Sequence, residues 1–371
     1  MKKNWVSLGL MSGTSGDGID ASIIRTNGIN QYESVMDKYF EYDSEIYKNI
    51  HDLKEKIHKT EHLKTFRKEI DDLERKITIF HAEIVKDLNI TDETILGFHG
   101  QTIYHNPNEK ISKQLGNGKL LSQLTKKKVV FNFRSNDILN GGQGAPLTPV
   151  FHNLISMKQK IKLPVCFLNI GGISNITIVK DKNDLAELSS KDIGPGNCLI
   201  DSWVRKNSNK KFDKDGLLAS IGFKNKIIFE QAQELYINRK SKSKLSFDTN
   251  DFDVSFIRGL NLEDGVKTLT EFTASIIAEE LNLSLKGLEK NFIEVLVCGG
   301  GRKNKILLKK IKENLLNKIN LKLIEEYKIN GDFVESQAFA FLAVRSVLRL
   351  PISFPKTTDC DKPCVGGEII N

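Results

Sequence analysis

The apolar positions change period several times along the chain, and each change predicts an element. Trp5 to Met11 and Ile19 to Thr26 are β-rich runs with partial alternation. The small and hydroxylated residues SGTSGDG join them, the pattern of a hairpin. From Ser44 to about Leu88 the period lengthens, with Ile70, Leu73, Ile77, Phe80, Ile84 and Leu88 three or four apart, which predicts helix. TILGFHG and VVFNF then read as short buried strands, and NGGQGAPLTP as a long loop. In the second half LPVCFLNIGGISNITIVK repeats the logic of strand, small-residue turn, strand. DIGPGNCLIDSWV is a turn feeding a helix, and Asp264 to Leu281 is a strong helix. FIEVLVCGGGRKN is a buried strand entering a glycine turn, and Gly331 to Leu350 is a final long helix.

The two strand–turn–strand units, GLMSGTSGDGIDAS and NIGGISNIT, stand about 160 residues apart, each near the start of a half. Duplicated α/β halves whose glycine hairpins face a common cleft are the layout of the actin-like and sugar-kinase ATP-binding fold. A Rossmann reading is weaker, because no strand runs into GxGxxG at a helix start, and no GxxxxGK[ST] occurs.

Composition narrows the classes. A chain of 371 residues suits two domains, and 39% hydrophobic with 27% charged residues suits a soluble globular protein. No apolar run approaches the roughly 18 residues of a membrane span. Lys2 and Lys3 precede WVSLGLM, but that run is too short for a signal peptide and SGDGID follows it. The expectation is a cytoplasmic protein without a membrane partner.

The net charge of +8 is carried mostly by lysines interleaved with acids, as in KTFRKEIDDLERKI. The run Lys126-Lys127-Lys128 has no aromatic neighbours for base stacking, so a solvated surface is favoured over nucleic-acid binding. Five cysteines, Cys166, Cys198, Cys298, Cys360 and Cys364, form no framework. Cys360 and Cys364 are four apart without a second pair, which favours unligated thiols over zinc.

Five stretches carry candidate chemistry. The turn Gly13, Thr14, Ser15, Gly16, Asp17, Gly18, Ile19, Asp20 offers backbone N–H groups and hydroxyls to a phosphate, with Asp17 and Asp20 sensible neighbours only if Mg²⁺ intervenes through water. An ordinary hairpin is an equal reading of that turn alone. Gly299, Gly300 and Gly301 close a strand and suit close approach of a flat nucleoside, or a plain strand-to-helix turn. FHGQTIYHNP and FRSNDILNGGQGAPLTP are rich in forked donors, among them Gln101 and Arg134; His99 alone reads as structural. Asp192, ahead of Gly-Pro-Gly and a helix start, is the sharpest candidate for a placed carboxylate, with Asn197 nearer the N-cap.

Together these stretches resemble the anhydro-N-acetylmuramic acid kinase family of the actin-like superfamily. The resemblance rests on GLMSGTSGDGIDAS, HGQTIYHNP, FRSNDI with GGQGAPLTPVFH, NIGGISNIT, DIGPGN with a following Asp, FDKDG, CGGGRKN and ESQAFAFLA, in the family's order across nearly the whole chain. Gly16 stands where the family has a bulky apolar residue, Ile193 departs from DTGPGN, and DKPCVGGEII is a loose version of the family's ending.

The resemblance implies an α/β, two-domain actin-like (ribonuclease H-like) fold with duplicated halves and an interdomain cleft. Its expected domains are residues 1–133 with about 351–371, and 134–350. It implies an ATP- and Mg²⁺-dependent enzyme that opens the anhydro ring and phosphorylates O6. Asp192 would be the base, Gly13 to Asp20 would hold the phosphates and metal, and Gly299 to Gly301 would border the nucleoside. Gln101, Arg134, Asn197 and Glu335 would bind the sugar, and a homodimer is expected. The alternative is an actin-like ATPase with a regulatory or scaffolding role.

Overall fold

The computed structural model describes residues 3–240, 247, 252–288 and 292–371. The chain divides into two compact units. The first comprises Met1–Leu163, Val179–Ser190 and Asp332–Asn371, and the second Pro164–Ile178 and Lys191–Gly331.

The first unit is built on a seven-stranded sheet. β1 (Trp5–Ser12), β2 (Gly18–Thr26) and β3 (Tyr32–Glu41) form an antiparallel meander. β4 (Ile95–Asn106) lies parallel to β1 on its other side, with β5 (Ile111–Leu115) antiparallel to β4. β6 (Val129–Phe131) continues parallel to β4, and β12 (Glu368–Ile370) closes the edge antiparallel to β6. Helices α1 (Ser44–Lys56) and α2 (Arg67–Asp87) cover one face and bury Ile46, Ile50, Leu53, Leu73 and Ile77 against Leu8, Leu10, Ile19 and Phe98. The predicted helical stretch from Ser44 is thus found, broken after Lys56. Short α3 (Ser135–Leu139) and α4 (Pro149–Lys158) follow β6.

The second unit holds a five-stranded sheet in the order β11-β10-β7-β8-β9. Its strands are β7 (Val165–Ile170), β8 (Ile173–Val179), β9 (Ser189–Pro195), β10 (Ile293–Cys298) and β11 (Ile319–Leu323), with β10 parallel to both β7 and β11. Read from the edge, the third, second and first strands are followed by two later ones. That is also the order of β3, β2, β1, β4 and β6. The same topology twice is the duplicated α/β fold that the internal echo predicted. Helix α5 (Cys198–Asn207) follows β9. The long α6 (Leu262–Leu285) and α7 (Lys305–Glu313) bury Ile277, Leu281, Leu307 and Ile311 on the sheet.

The boundaries differ from the expected 133/134 and 350/351. α4 and the last long helix α8 (Val334–Val347) both belong to the first unit. For α8 the cause is a groove of missing side chains: Gly9 and Gly97 are register partners on β1 and β4. A methyl on Gly9 would land on the Ser336 carbonyl, and one on Gly97 on the Phe339 carbonyl. The α8 backbone lies directly on the sheet, a contact that no local pattern announces.

Candidate active site

The β1–β2 turn, residues 13–17, is closed by the Gly16 amide donating to the Gly13 carbonyl at 3.1 Å. Its base is clamped from β4. Ser12 Oγ donates to Gln101 Oε1 at 2.6 Å, and Gln101 Nε2 donates to the Gly13 carbonyl at 3.0 Å. From α1, Lys54 Nζ donates to the Thr14 carbonyl at 2.6 Å and adds positive charge to the turn. Thr14 and Ser15 are exposed, and a methyl on Gly13 would meet nothing within 4 Å. Gly16 has φ +66°, a left-handed conformation suited to glycine, and a side chain there would come within 2.9 Å of Ile50 Cγ2. The result is an open, preorganised edge of hydroxyls and amides, which is what phosphate binding needs.

Asp17 is half-buried, and its carbonyl accepts the Tyr42 amide at 2.9 Å. Asp20 lies opposite Met11 and Tyr39. Strand alternation sets it on the same face as Ser22, whose hydroxyl is 2.7 Å from that of Ser336. Glu335 is on the first turn of α8, beside that contact. Asp20 and Glu335 therefore flank the Ser22–Ser336 contact within the first unit.

Arg134 is set by two groups. Its Nη1 donates to the Gly144 carbonyl at 2.7 Å, and its Nη2 donates to Nε2 of His99 at 2.9 Å. His99 Nδ1 donates to the Gly100 carbonyl at 2.7 Å, so the ring is a neutral tautomer with Nε2 as acceptor. Burial, then the Arg134 charge, holds the imidazole well below its ordinary range. Phe339 packs on that ring at 4.5 Å between centroids. The Gly144 amide in turn donates to Asp137 Oδ2 at 2.7 Å.

In the second unit three strand ends meet. The amides of Gly196 and Asn197 donate to the carbonyls of Gly172 and Gly171 at 2.9 and 2.8 Å, stitching DIGPGN to NIGG. Asp192 lies on β9, and its Oδ2 accepts the Phe247 amide at 2.9 Å. Ile193, the departure from the family motif, turns into the core with Ile176 and Ile277 and leaves the Asp192 side unaltered. Asn197 occupies the N-cap of α5 without a side-chain capping bond. Its Oδ1 would instead lie 3.1 Å from a methyl on Gly301.

The three glycines of GGG differ. A methyl on Gly299, at φ +79°, would strike Asn169, and one on Gly301 would strike Ile170. One on Gly300 would meet nothing within 4 Å. Gly300 is thus the open member, while the outer two serve packing. Arg302 braces the turn, donating to Glu325 at 2.6 Å and to the Gly299 carbonyl at 3.1 Å. Sequence reasoning missed His99 as a partner of Arg134, Lys54 as a partner of the turn, and Asn169 at the end of β7. Only the quoted NIGG and HGQT motifs pointed near two of them.

Two units of one topology, one carrying a hydroxyl-rich glycine turn and the other a carboxylate beside glycine turns, are the construction of a phosphotransferase of the actin-like and sugar-kinase class. The profile of the family described as anhydro-N-acetylmuramic acid kinase matches residues 5–371, and the chain belongs to that family. A protein of that name from Pelagibacter ubique is 53% identical, covering 100% of this chain and 99% of its own. Another from Zymomonas mobilis is 38% identical over 98% and 99%. Among solved structures, a glucose complex of Schistosoma mansoni hexokinase aligns with TM-score 0.44 at 10% identity, covering 92% of this chain and 85% of that one.

Proposed function

We infer that the protein is an ATP-dependent kinase that opens the 1,6-anhydro ring of anhydro-N-acetylmuramic acid and phosphorylates the freed O6, giving N-acetylmuramic acid 6-phosphate and ADP in cell-wall recycling. The observation that carries this reading is full-length membership of the family.

Asp192, fixed in direction by the Phe247 amide, takes a proton from a water that attacks the anomeric carbon. The C1–O6 bond breaks, and O6 attacks the γ-phosphorus of ATP. A glycosidase normally needs a second carboxylate to protonate the leaving oxygen. Capture of O6 by phosphorus makes that acid unnecessary, so one carboxylate suffices.

The turn Gly13 to Asp20 holds the ATP phosphates. Asp17 and Asp20 suit an Mg²⁺ ion held through water, the hard-oxygen chemistry that this ion prefers and that offsets phosphate charge. Gly300, flanked by Gly299 and Gly301, borders the nucleoside. Arg134 binds the lactyl carboxylate through its planar fork, with Asn197 and Glu335 on sugar hydroxyls. Gln101, fully buried with both ends of its amide already bonded, serves the sugar only indirectly, through the turn that it clamps.

The protein works in the cytoplasm as a homodimer, without nucleic-acid or membrane partners. The exposed apolar group Leu217, Ile221, Phe223 and Ile227 supports self-association. Among the described residues no helix is long and apolar enough to cross a membrane. Coupled measurement of ADP release with and without the anhydro sugar tests the activity. Sugar-dependent ADP is expected, whereas sugar-independent hydrolysis supports the scaffolding ATPase instead.

A further inference from the structure

The fold gives the cysteine pair near the C-terminus a third companion. Asp137, Cys360 and Cys364 are exposed by 1%, 2% and 3%, and one oxygen or sulfur from each lies within 4.8 Å of the others. Asp137 comes from α3. Both cysteines come from the tail, where Cys364 is bridged to Ser353 by backbone bonds of 3.0 and 3.3 Å. We propose that these three side chains form a structural site for one thiophilic divalent cation, with zinc the best match.

Three observations support the site. First, zinc bonds of about 2.3 Å to sulfur and about 2.0–2.2 Å to oxygen bring tetrahedral ligand atoms to roughly 3.5–3.8 Å apart, within about an ångström of the present spacing. Second, the Asp137 carboxylate accepts only from neutral groups: Gly144 N at 2.7 Å, Ser353 Oγ at 2.5 Å and Thr358 Oγ1 at 2.6 Å. Among the described residues no cation pairs with it, and a buried carboxylate without a counter-charge is costly. Third, two thiolates with one carboxylate favour zinc over the hard ions magnesium and calcium. The Ser353 or Thr358 hydroxyl, or a water, completes four-coordination.

Binding exchanges the two thiol protons for the metal and involves no redox step. Affinity therefore falls steeply as pH is lowered. The ion would pin the tail to Asp137, whose other oxygen holds Gly144, the residue that receives Arg134. The proposal does not depend on the sugar-kinase reading.

The test uses the full chain, stripped with a chelator under reductant and titrated with Co²⁺. One equivalent should produce a thiolate-to-cobalt charge-transfer band with tetrahedral d–d absorption, and one equivalent of Zn²⁺ should abolish both. Cys360→Ser and Cys364→Ser should each lose the band and weaken binding by about 100-fold or more, since even outer-shell changes cost 10–100-fold. A wild-type titration without that band overturns the proposal, as does a band that survives either substitution. So does anaerobically isolated protein in which the two cysteines are already a disulfide. If the variants fail to fold, the wild-type spectrum and its displacement by zinc still decide.

Discussion

Nε2 of His99 accepts from Nη2 of Arg134 at 2.9 Å, while Nδ1 of the same ring donates to the Gly100 carbonyl at 2.7 Å. The imidazole is thereby fixed in one tautomer and fixes the guanidinium in turn. His99→Gln, which keeps an acceptor near Nε2, should leave the sugar KM within about threefold of wild type. His99→Leu should raise it by about 10-fold or more, the scale of a hydrogen bond to a charged group. The KM for ATP should move little in either variant. A competing anhydro sugar without the lactyl carboxylate distinguishes positioning from general damage, because its Ki should be the same in both. Arg134→Lys should raise the sugar KM in the same selective way.

Removing the proposed base should separate chemistry from binding. Asp192→Asn should lower kcat by at least about 10²-fold, the lower end for a placed proton acceptor, with ATP affinity retained by calorimetry. Turnover near the wild-type level would remove Asp192 from the mechanism.

Much of this was legible in the sequence, for a physical reason in each case. The hairpin at Gly13, the strand into GGG and the helix after Asn197 are local events, dictated by turn chemistry and apolar period. Longer-range features were not. His99 read as structural because its partner Arg134 is brought to it only by the parallel pairing of β4 with β6. The N-cap of α5 was anticipated at Asn197, yet its side chain makes no capping bond. Cys360 and Cys364 lacked a third ligand until α3 supplied Asp137. The return of α8 to the first unit depends on two glycines on different strands, which no window of sequence contains.

Those glycines give a stability prediction. Gly97→Ala would force a methyl into the Phe339 carbonyl, backbone that cannot swing aside. Overpacking of this kind typically costs about 1–3 kcal/mol. Denaturant unfolding should show a loss at the upper end of that range or beyond, whereas Gly300→Ala, which meets nothing within 4 Å, should cost little. Comparable stability in the two variants would contradict the close approach of α8.

Acid should destabilise the fold through buried histidines. Burial lowers His81 to about 4 and His152 to about 3, and His99 is also held down, while unfolded histidine titrates near 6.5. Below pH 6.5 the unfolded chain therefore binds more protons than the folded one. Their stabilisation is complete above that pH and is lost as pH falls towards 4, at about 1.4 kcal/mol per pH unit for each histidine. Unfolding free energies measured between pH 7 and 4 should fall with this slope, and a flat profile would contradict neutral buried rings.

The central claim is that a water activated by Asp192 opens the ring at the anomeric carbon while O6 takes the phosphate. Mass spectrometry of the product formed in ¹⁸O-labelled water tests it most directly. One labelled oxygen should appear on the C1 hydroxyl and none in the phosphate. Label in the phosphate, or a phosphorylated sugar whose anhydro bridge is intact, would contradict it.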